Sequence, residues 1–262
     1  MFFRKGGDSL PELSHKRIDK PDRSIYYNHI HNHCEILLFK SVKGEYNIDG
    51  QILTPSPDYM LFVPAATYHY VIPSPDTPYE NYVIGIEPSV LKPAHYQKLF
   101  SQPLMINVKD DGVIQEFFRR LDMYARDYSE EDFCACSASM VHELVTYLSY
   151  HKDELTSIRS RSIGLVDRMI GYINENIESN INADSVARHF MLSKSYVQNL
   201  FSQHMHIGLK KYINQKKIYA AHSDLMGGLS PYQVCDKYGF GDYSAFFRVF
   251  RQTFGTSPGK VR

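Results

Sequence analysis

The side chains best placed to do chemistry are His29, His31, His33 and Glu35, followed by His69. The first four fall on odd positions, so in a β-strand they project from one face. Imidazoles and a carboxylate converging with an imidazole from a later strand have the donor set of a divalent-metal site. The same groups can equally hydrogen-bond an uncharged ligand, or only a neighbouring strand. The sequence offers no Gly-rich phosphate loop, no Ser-His-Asp arrangement that spacing defends, and no paired carboxylates in an apolar run.

Short β-like runs must carry these residues. From Tyr26 to about Ile86 come Ile36–Phe39, Tyr46 and Ile48, the hairpin signal Asp49-Gly50, then Ile52-Leu53, Met60–Val63, Tyr68–Ile72 and Tyr82–Ile84. Pro55, Pro57, Pro64, Pro73, Pro75 and Pro78 punctuate them, a pattern that suggests a small barrel or jelly roll. The chain has 20 tyrosines, which suit a pocket for a sugar or another polar small molecule but also simply pave sheets. Residues 1–25 form a polar, extended lead-in. Two helical patterns follow the strands, one through Val113, Ile114, Phe117, Phe118, Leu121, Tyr124 and Tyr128, the other through Met140, Val141, Leu144 and Leu148. Ser129 to Asp132 joins them as a helical hairpin. A short-chained polar linker is expected at 153–162.

The C-terminal part contains a helix–turn–helix twice. Asn182, Val186, Ala187 and Phe190 recur 48 residues on as Ser230, Val234, Cys235 and Tyr238. Ser193, Val197, Leu200 and Phe201 recur 49 residues on as Asp242, Phe246, Val249 and Phe250. The one-residue slip falls in the turn, at Gly239. Matched caps, core and turn make this duplication far more specific than one helical hairpin. In the last helix Phe246, Phe247 and Phe250 form a core face and leave Tyr243, Ser244, Arg248 and Arg251 outward.

The tail Gly239-Phe240-x-Asp242…Phe246…Arg248-x-Phe250…Gly255-x-Ser257-Pro258 resembles the C-terminal signature of the AraC/XylS family of transcriptional regulators. The resemblance covers about Gly164 to Arg262, with Tyr212-Ile213, Lys217-Ile218 and Ala221 in the helix joining the two motifs. His206 and Gly208 stand where the family usually has Gly and Ser, Ala245 where an aromatic is common, and Lys217 where Arg is usual. More loosely, His31-x-His33-x-Glu35, Gly44, Gly50, Pro64 and His69 resemble the cupin-like sensor domain often attached to this family. Metal-binding cupins separate the second His from the Glu by a longer gap than the two residues found here.

The resemblance implies an α+β chain: a cupin-like β-barrel with a helical hairpin for ligand sensing and dimerisation (1–152), the linker (153–162), and an all-α tandem helix-turn-helix domain (163–262). Carried over by position, Ser195, Gln198 and Asn199 face the major groove from the first recognition helix, and Tyr243, Ser244, Ala245 and Arg248 from the second. Gln and Asn suit adenine and Arg suits guanine, through bidentate pairs with base edges. Lys194, Lys211 and Arg251 are expected on phosphates. His31, His33, Glu35 and His69 are expected to bind an effector, with carbohydrate suggested by family habit, and no metal or cofactor is expected.

Charge agrees with two unlike halves. The net charge is zero, but residues 160–262 hold 13 Lys and Arg against 7 Asp and Glu, so the remainder is acidic. Four cysteines lie apart without a disulfide framework, and Cys34 and Cys235 sit in apolar runs as buried thiols. The longest apolar run, about Tyr59 to Ala66, is too short to span a bilayer. A cytoplasmic regulator follows as the expectation, with double-stranded DNA, a small-molecule effector and RNA polymerase as partners, as a homodimer and without a membrane. The alternative is a metal-dependent cupin enzyme tethered to DNA by its basic tail.

Overall fold

The computed structural model describes residues 2–4, 11–22, 29–155, 157–158 and 164–261. The strand start expected at Tyr26 lies outside the described residues, as do 156 and 159–162 of the expected linker. Among the described residues the strands are β1 (Phe2–Arg4), β2 (Glu12–Ile18), β3 (Cys34–Ser41), β4 (Gly44–Ile48), β5 (Gln51–Leu53), β6 (Tyr59–Val63), β7 (His69–Pro73), β8 (Tyr79–Ile86), β9 (Leu104–Asn107) and β10 (Ser157–Ile158). All pairings among the described residues are antiparallel. One sheet has the order β1-β2-β8-β3-β6-β9-β10, and a smaller one β5-β4-β7. Part of the polar lead-in thus supplies β2, and Ser157-Ile158 from the expected linker pairs with β9.

β3 is buried on both faces, and the period of two explains how. Its odd residues Leu37 and Phe39 meet Tyr46, Ile48, Leu53, Val63 and Val71 between the two sheets. Its even residues Cys34, Ile36 and Leu38 face α1 (Pro93–Phe100), α2 (Gly112–Asp127) and α3 (Glu130–His151) on the outer side of the large sheet. Glu35, being odd, is carried to the inner side with Leu37. The Asp49-Gly50 signal is a two-residue hairpin loop with both residues at positive φ, 43° and 85°, as a type I′ turn requires. Asp111 caps α2 and Ser129 caps α3. Leu144 and Leu148, in the hairpin expected to serve dimerisation, are buried against the sheet.

The C-terminal part is helical: α4 (Leu165–Glu175), α5 (Ala183–His189), α6 (Lys194–Met205), α7 (Leu209–Met226), α8 (Pro231–Lys237) and α9 (Tyr243–Phe254). Each expected cap is made. Asn182 and Ser230 close capping boxes with Ser185 and Gln233, Ser193 accepts from the Tyr196 amide, and Asp242 accepts from the Ala245 amide. His206 takes the left-handed C-cap conformation, φ 52°, that a glycine adopts most easily. The helix α7 belongs to two cores, Tyr212 and Ile213 to the first motif and Ile218, Ala221 and Leu225 to the second. In α9 the burial is narrower than its periodicity suggests: Phe246 and Phe250 are buried, Phe247 is only half-buried and Val249 is exposed. Among the described residues no helix is long and apolar enough to cross a membrane.

Candidate ligand site and nucleic-acid interface

His31 and His33 do not lie in β3 but in the bend that leads into it, and only Glu35 is on the strand. The bend still brings the side chains together. Glu35 Oε1 is 3.1 Å from His31 Nε2 and 3.5 Å from His33 Nε2, and Oε2 is 3.3 Å from His69 Nε2. The two-residue gap between His33 and Glu35 therefore does not keep the carboxylate out. His29, exposed at the rim, bridges β7 through paired backbone hydrogen bonds with His69 and completes a group whose donor atoms all lie within 4.8 Å of one another: His29, His31, Glu35 and His69. His33 stacks on His31 with ring centroids 3.7 Å apart. Gly85 makes room for it, since a Cβ there would stand 3.0 Å from His33 Cδ2.

Two hydrogen bonds fix the imidazole protons. His31 Nδ1 is 2.9 Å from the His33 carbonyl, and His69 Nδ1 is 2.9 Å from the Thr67 carbonyl. A carbonyl only accepts, so both Nδ1 atoms donate, and in the neutral rings the lone pair is on Nε2. Burial would raise the Glu35 carboxyl; when the imidazoles of His31, His33 and His69 carry a proton on Nε2 as well, their hydrogen bonds outweigh burial and hold it well below the usual carboxylate range. Burial pushes His31 down.

The contacts between the sheets and α7 are functional candidates that the sequence did not reveal. The Asp49 carboxylate accepts from the Tyr68 amide at 3.1 Å, the Tyr212 hydroxyl at 2.9 Å and Lys216 Nζ at 3.0 Å. Lys216 Nζ also donates to the Ala66 carbonyl at 2.8 Å, and the Tyr219 hydroxyl donates to the Ile30 carbonyl at 2.6 Å. Tyr70 donates to the carbonyl of His204 on α6. Ile30, Tyr68 and Tyr70 accordingly share one core with α4, α6 and α7. Tyr212, Lys216 and Tyr219 follow i, i+4, i+7 spacing, so one stripe of α7 makes these contacts. That stripe is the signal present in the sequence, although nothing local says what it faces.

On the helical side Ser195 and Asn199 of α6, and Ser244, Arg248 and Arg251 of α9, are exposed. Gln198 and Ala245 are half-buried and line the groove between the two motifs with Lys210 and Val249. Tyr243 is half-buried and stacks on Tyr232 at 4.5 Å. Lys211 is exposed, whereas exposed Lys194 ion-pairs with Asp184 at 2.8 Å. Lys217 is buried and donates to the Ser179 carbonyl, so it is a structural residue.

Two helix-turn-helix motifs with open polar faces, set on a sheet unit holding a buried cluster of donor atoms, define a DNA-binding regulator with an attached ligand-binding domain. Family models agree: residues 12–131 match the AraC-like ligand-binding domain and 186–262 a helix-turn-helix domain. SoxS of Salmonella typhimurium is 30% identical over 99 residues, 37% of this chain and 92% of SoxS. The uncharacterized regulator YijO of Escherichia coli is 32% identical over 123 residues, 45% of this chain, which spans only 44% of YijO's length. A structure of ToxT from Vibrio cholerae aligns over 96% of this chain and 97% of its own at 14% identity with TM-score 0.39, a loose likeness. The chain belongs to the AraC/XylS family of transcriptional regulators.

Proposed function

We propose that the chain is a non-catalytic regulator that reads two successive major-groove segments with α6 and α9, and whose grip on DNA is set by a small ligand held at His31, His33, Glu35 and His69. The division into a sensor part (1–152), a connection (153–162) and a DNA-binding part (163–262) belongs to this reading. One observation carries it: α7, which spaces the two recognition helices, is bonded along one stripe to the sheet unit that holds the candidate ligand residues. A ligand that shifts those strands changes the contacts of α7 in the same step, which is the differential interaction any switch requires. Ser195, Gln198 and Asn199, then Tyr243, Ser244, Ala245 and Arg248, are the base-reading positions, and Lys194, Lys211 and Arg251 the phosphate contacts. A homodimer through the outer face of α2 and α3, and contact with RNA polymerase in the cytoplasm, complete the proposal.

Selection of duplexes from random DNA by the full chain tests it. Two enriched segments about one turn, ~34 Å, apart are expected. Binding without any sequence enrichment would count against a regulator.

A further inference from the structure

The buried histidines pose a problem that hydrogen bonding inside the protein does not solve. Nε2 of His31 and Nε2 of His69 are buried without a hydrogen-bond partner, although carboxylate oxygens of Glu35 lie 3.1 and 3.3 Å away. Their Nδ1 protons are already committed to the His33 and Thr67 carbonyls. Neutral rings held this way place two lone pairs beside an anion, out of hydrogen-bond alignment, in a buried setting where such an arrangement is costly. A cation between them removes the conflict. Bonds of about 2.0–2.1 Å to a tetrahedral ion put ligand atoms about 3.3 Å apart; the two Glu35–histidine distances match this, and the four donor atoms, all within 4.8 Å of one another, need only draw in slightly. Backbone carbonyls on Nδ1 are also the partners that orient imidazoles for Nε2 ligation.

The same two segments hold α7. Ile30, between His29 and His31, gives its carbonyl to Tyr219. Ala66 donates its amide to the His31 carbonyl at 2.8 Å and gives its own carbonyl to Lys216. Ala66 is held at φ 55°, in the left-handed region that strains a residue with a Cβ. Drawing four side chains onto one centre therefore acts directly on two carbonyls that anchor the joining helix.

We propose that His31, His69 and Glu35, joined by His29, bind one divalent first-row transition-metal ion, and that its occupancy reaches α7 through the Ile30 and Ala66 carbonyls. The second half rests on the regulator reading above. Imidazole-rich donors with one carboxylate favour zinc, nickel, cobalt or iron over magnesium or calcium.

The test uses the full chain stripped with chelator and titrated with Co²⁺, then Zn²⁺ in competition, followed by the d–d absorption of cobalt and by metal analysis. One ion per chain is expected. His69→Ala and the near-isosteric Glu35→Gln should each weaken it on the order of 10-fold or more, while exposed His142→Ala should not. Equal affinity in wild type, His69→Ala and Glu35→Gln, or no bound ion, overturns the site. On a duplex selected by the chain itself, the ion should change affinity by roughly 5-fold or more, and Tyr219→Phe should keep the ion but lose most of that change. An unaltered response in Tyr219→Phe overturns the route. Failure to select any duplex removes the regulator reading, while the absorption titration still decides the site.

Discussion

The Tyr212 hydroxyl donates to Asp49 Oδ1 at 2.9 Å across 163 residues of sequence, joining the first turn of α7 to the tip of the β4–β5 hairpin. Tyr212 is fully buried, and its ring also packs against Tyr68 and Phe201. A hydroxyl in that position must have an acceptor, and Asp49 supplies it while also meeting the Lys216 ammonium. Burial, followed by the neighbouring Asp49 charge, pushes the Tyr212 phenol well above its ordinary range, so it stays a donor. Tyr212→Phe should cost ~1 kcal/mol of folding stability. A double-mutant cycle with Asp49→Asn in urea denaturation isolates the bond, and strict additivity would show that it contributes nothing.

Gly50 carries a second constraint at the same tip. Its φ of +85° is strained for any other residue, and a Cβ would stand 2.8 Å from Ile170 Cδ1 and 3.0 Å from Asp167 Oδ1. Gly50→Ala should destabilise by ~1–3 kcal/mol and speed proteolysis between the sheets and α4. Adding Ile170→Val separates the causes: partial rescue would assign the cost to the clash, and no rescue to the backbone.

Much of this architecture was legible because it is local. Caps such as Asn182 and Asp242, the Asp49-Gly50 turn and the doubled motif each act within a few residues, so spacing announces them. The metal-type donor set was visible as residue types, but its geometry depends on a bend before β3 and on a bridge to β7. Periodicity says nothing of such a bend, which is why the histidines looked like one strand face. The contacts of Lys216 and Tyr219 with Ala66 and Ile30 span 150 and 189 residues. Such pairings appear only when distant parts of the chain meet. Phe247 shows the opposite limit, since helical spacing fixes a direction and not how far the neighbouring core reaches.

The outer face of α2 and α3 makes a distinct forecast. Val113 is half exposed beside a groove shared with Phe117, Leu144 and Tyr147, whereas Leu148 is fully buried. Leu148→Glu should therefore unfold the sheet–helix unit, because a lone carboxylate in that core has no partner. Val113→Glu should leave the fold intact, since an anion in the first turn of α2 favours the helix dipole. If the proposed homodimer forms through this face, sedimentation should show the wild type as a dimer and Val113→Glu as a folded monomer. A dimer that persists would place the contact elsewhere.

Arg248 and Lys211 differ in what they should do to DNA binding. Arg248 stands exposed on α9, two residues before the buried Phe250 that anchors the helix, so its guanidinium starts from a fixed base. Lys211 lies exposed in the first turn of α7. That helix has 18 residues and so spans about 27 Å, enough with its turns to set α6 and α9 about one DNA turn apart. A guanidinium that makes a bidentate pair with guanine discriminates among bases, while an ammonium on phosphate adds the same attraction to every sequence. Arg248→Ala should then cost ~1–3 kcal/mol at the preferred duplex and relax the choice at a single guanine. Lys211→Ala should weaken all duplexes alike and lower the salt slope by about one unit. Titrations of both variants against preferred and scrambled duplexes at several salt concentrations separate the two. Equal weakening of both duplexes by Arg248→Ala would reduce α9 to a backbone clamp and move the reading of sequence to α6 alone.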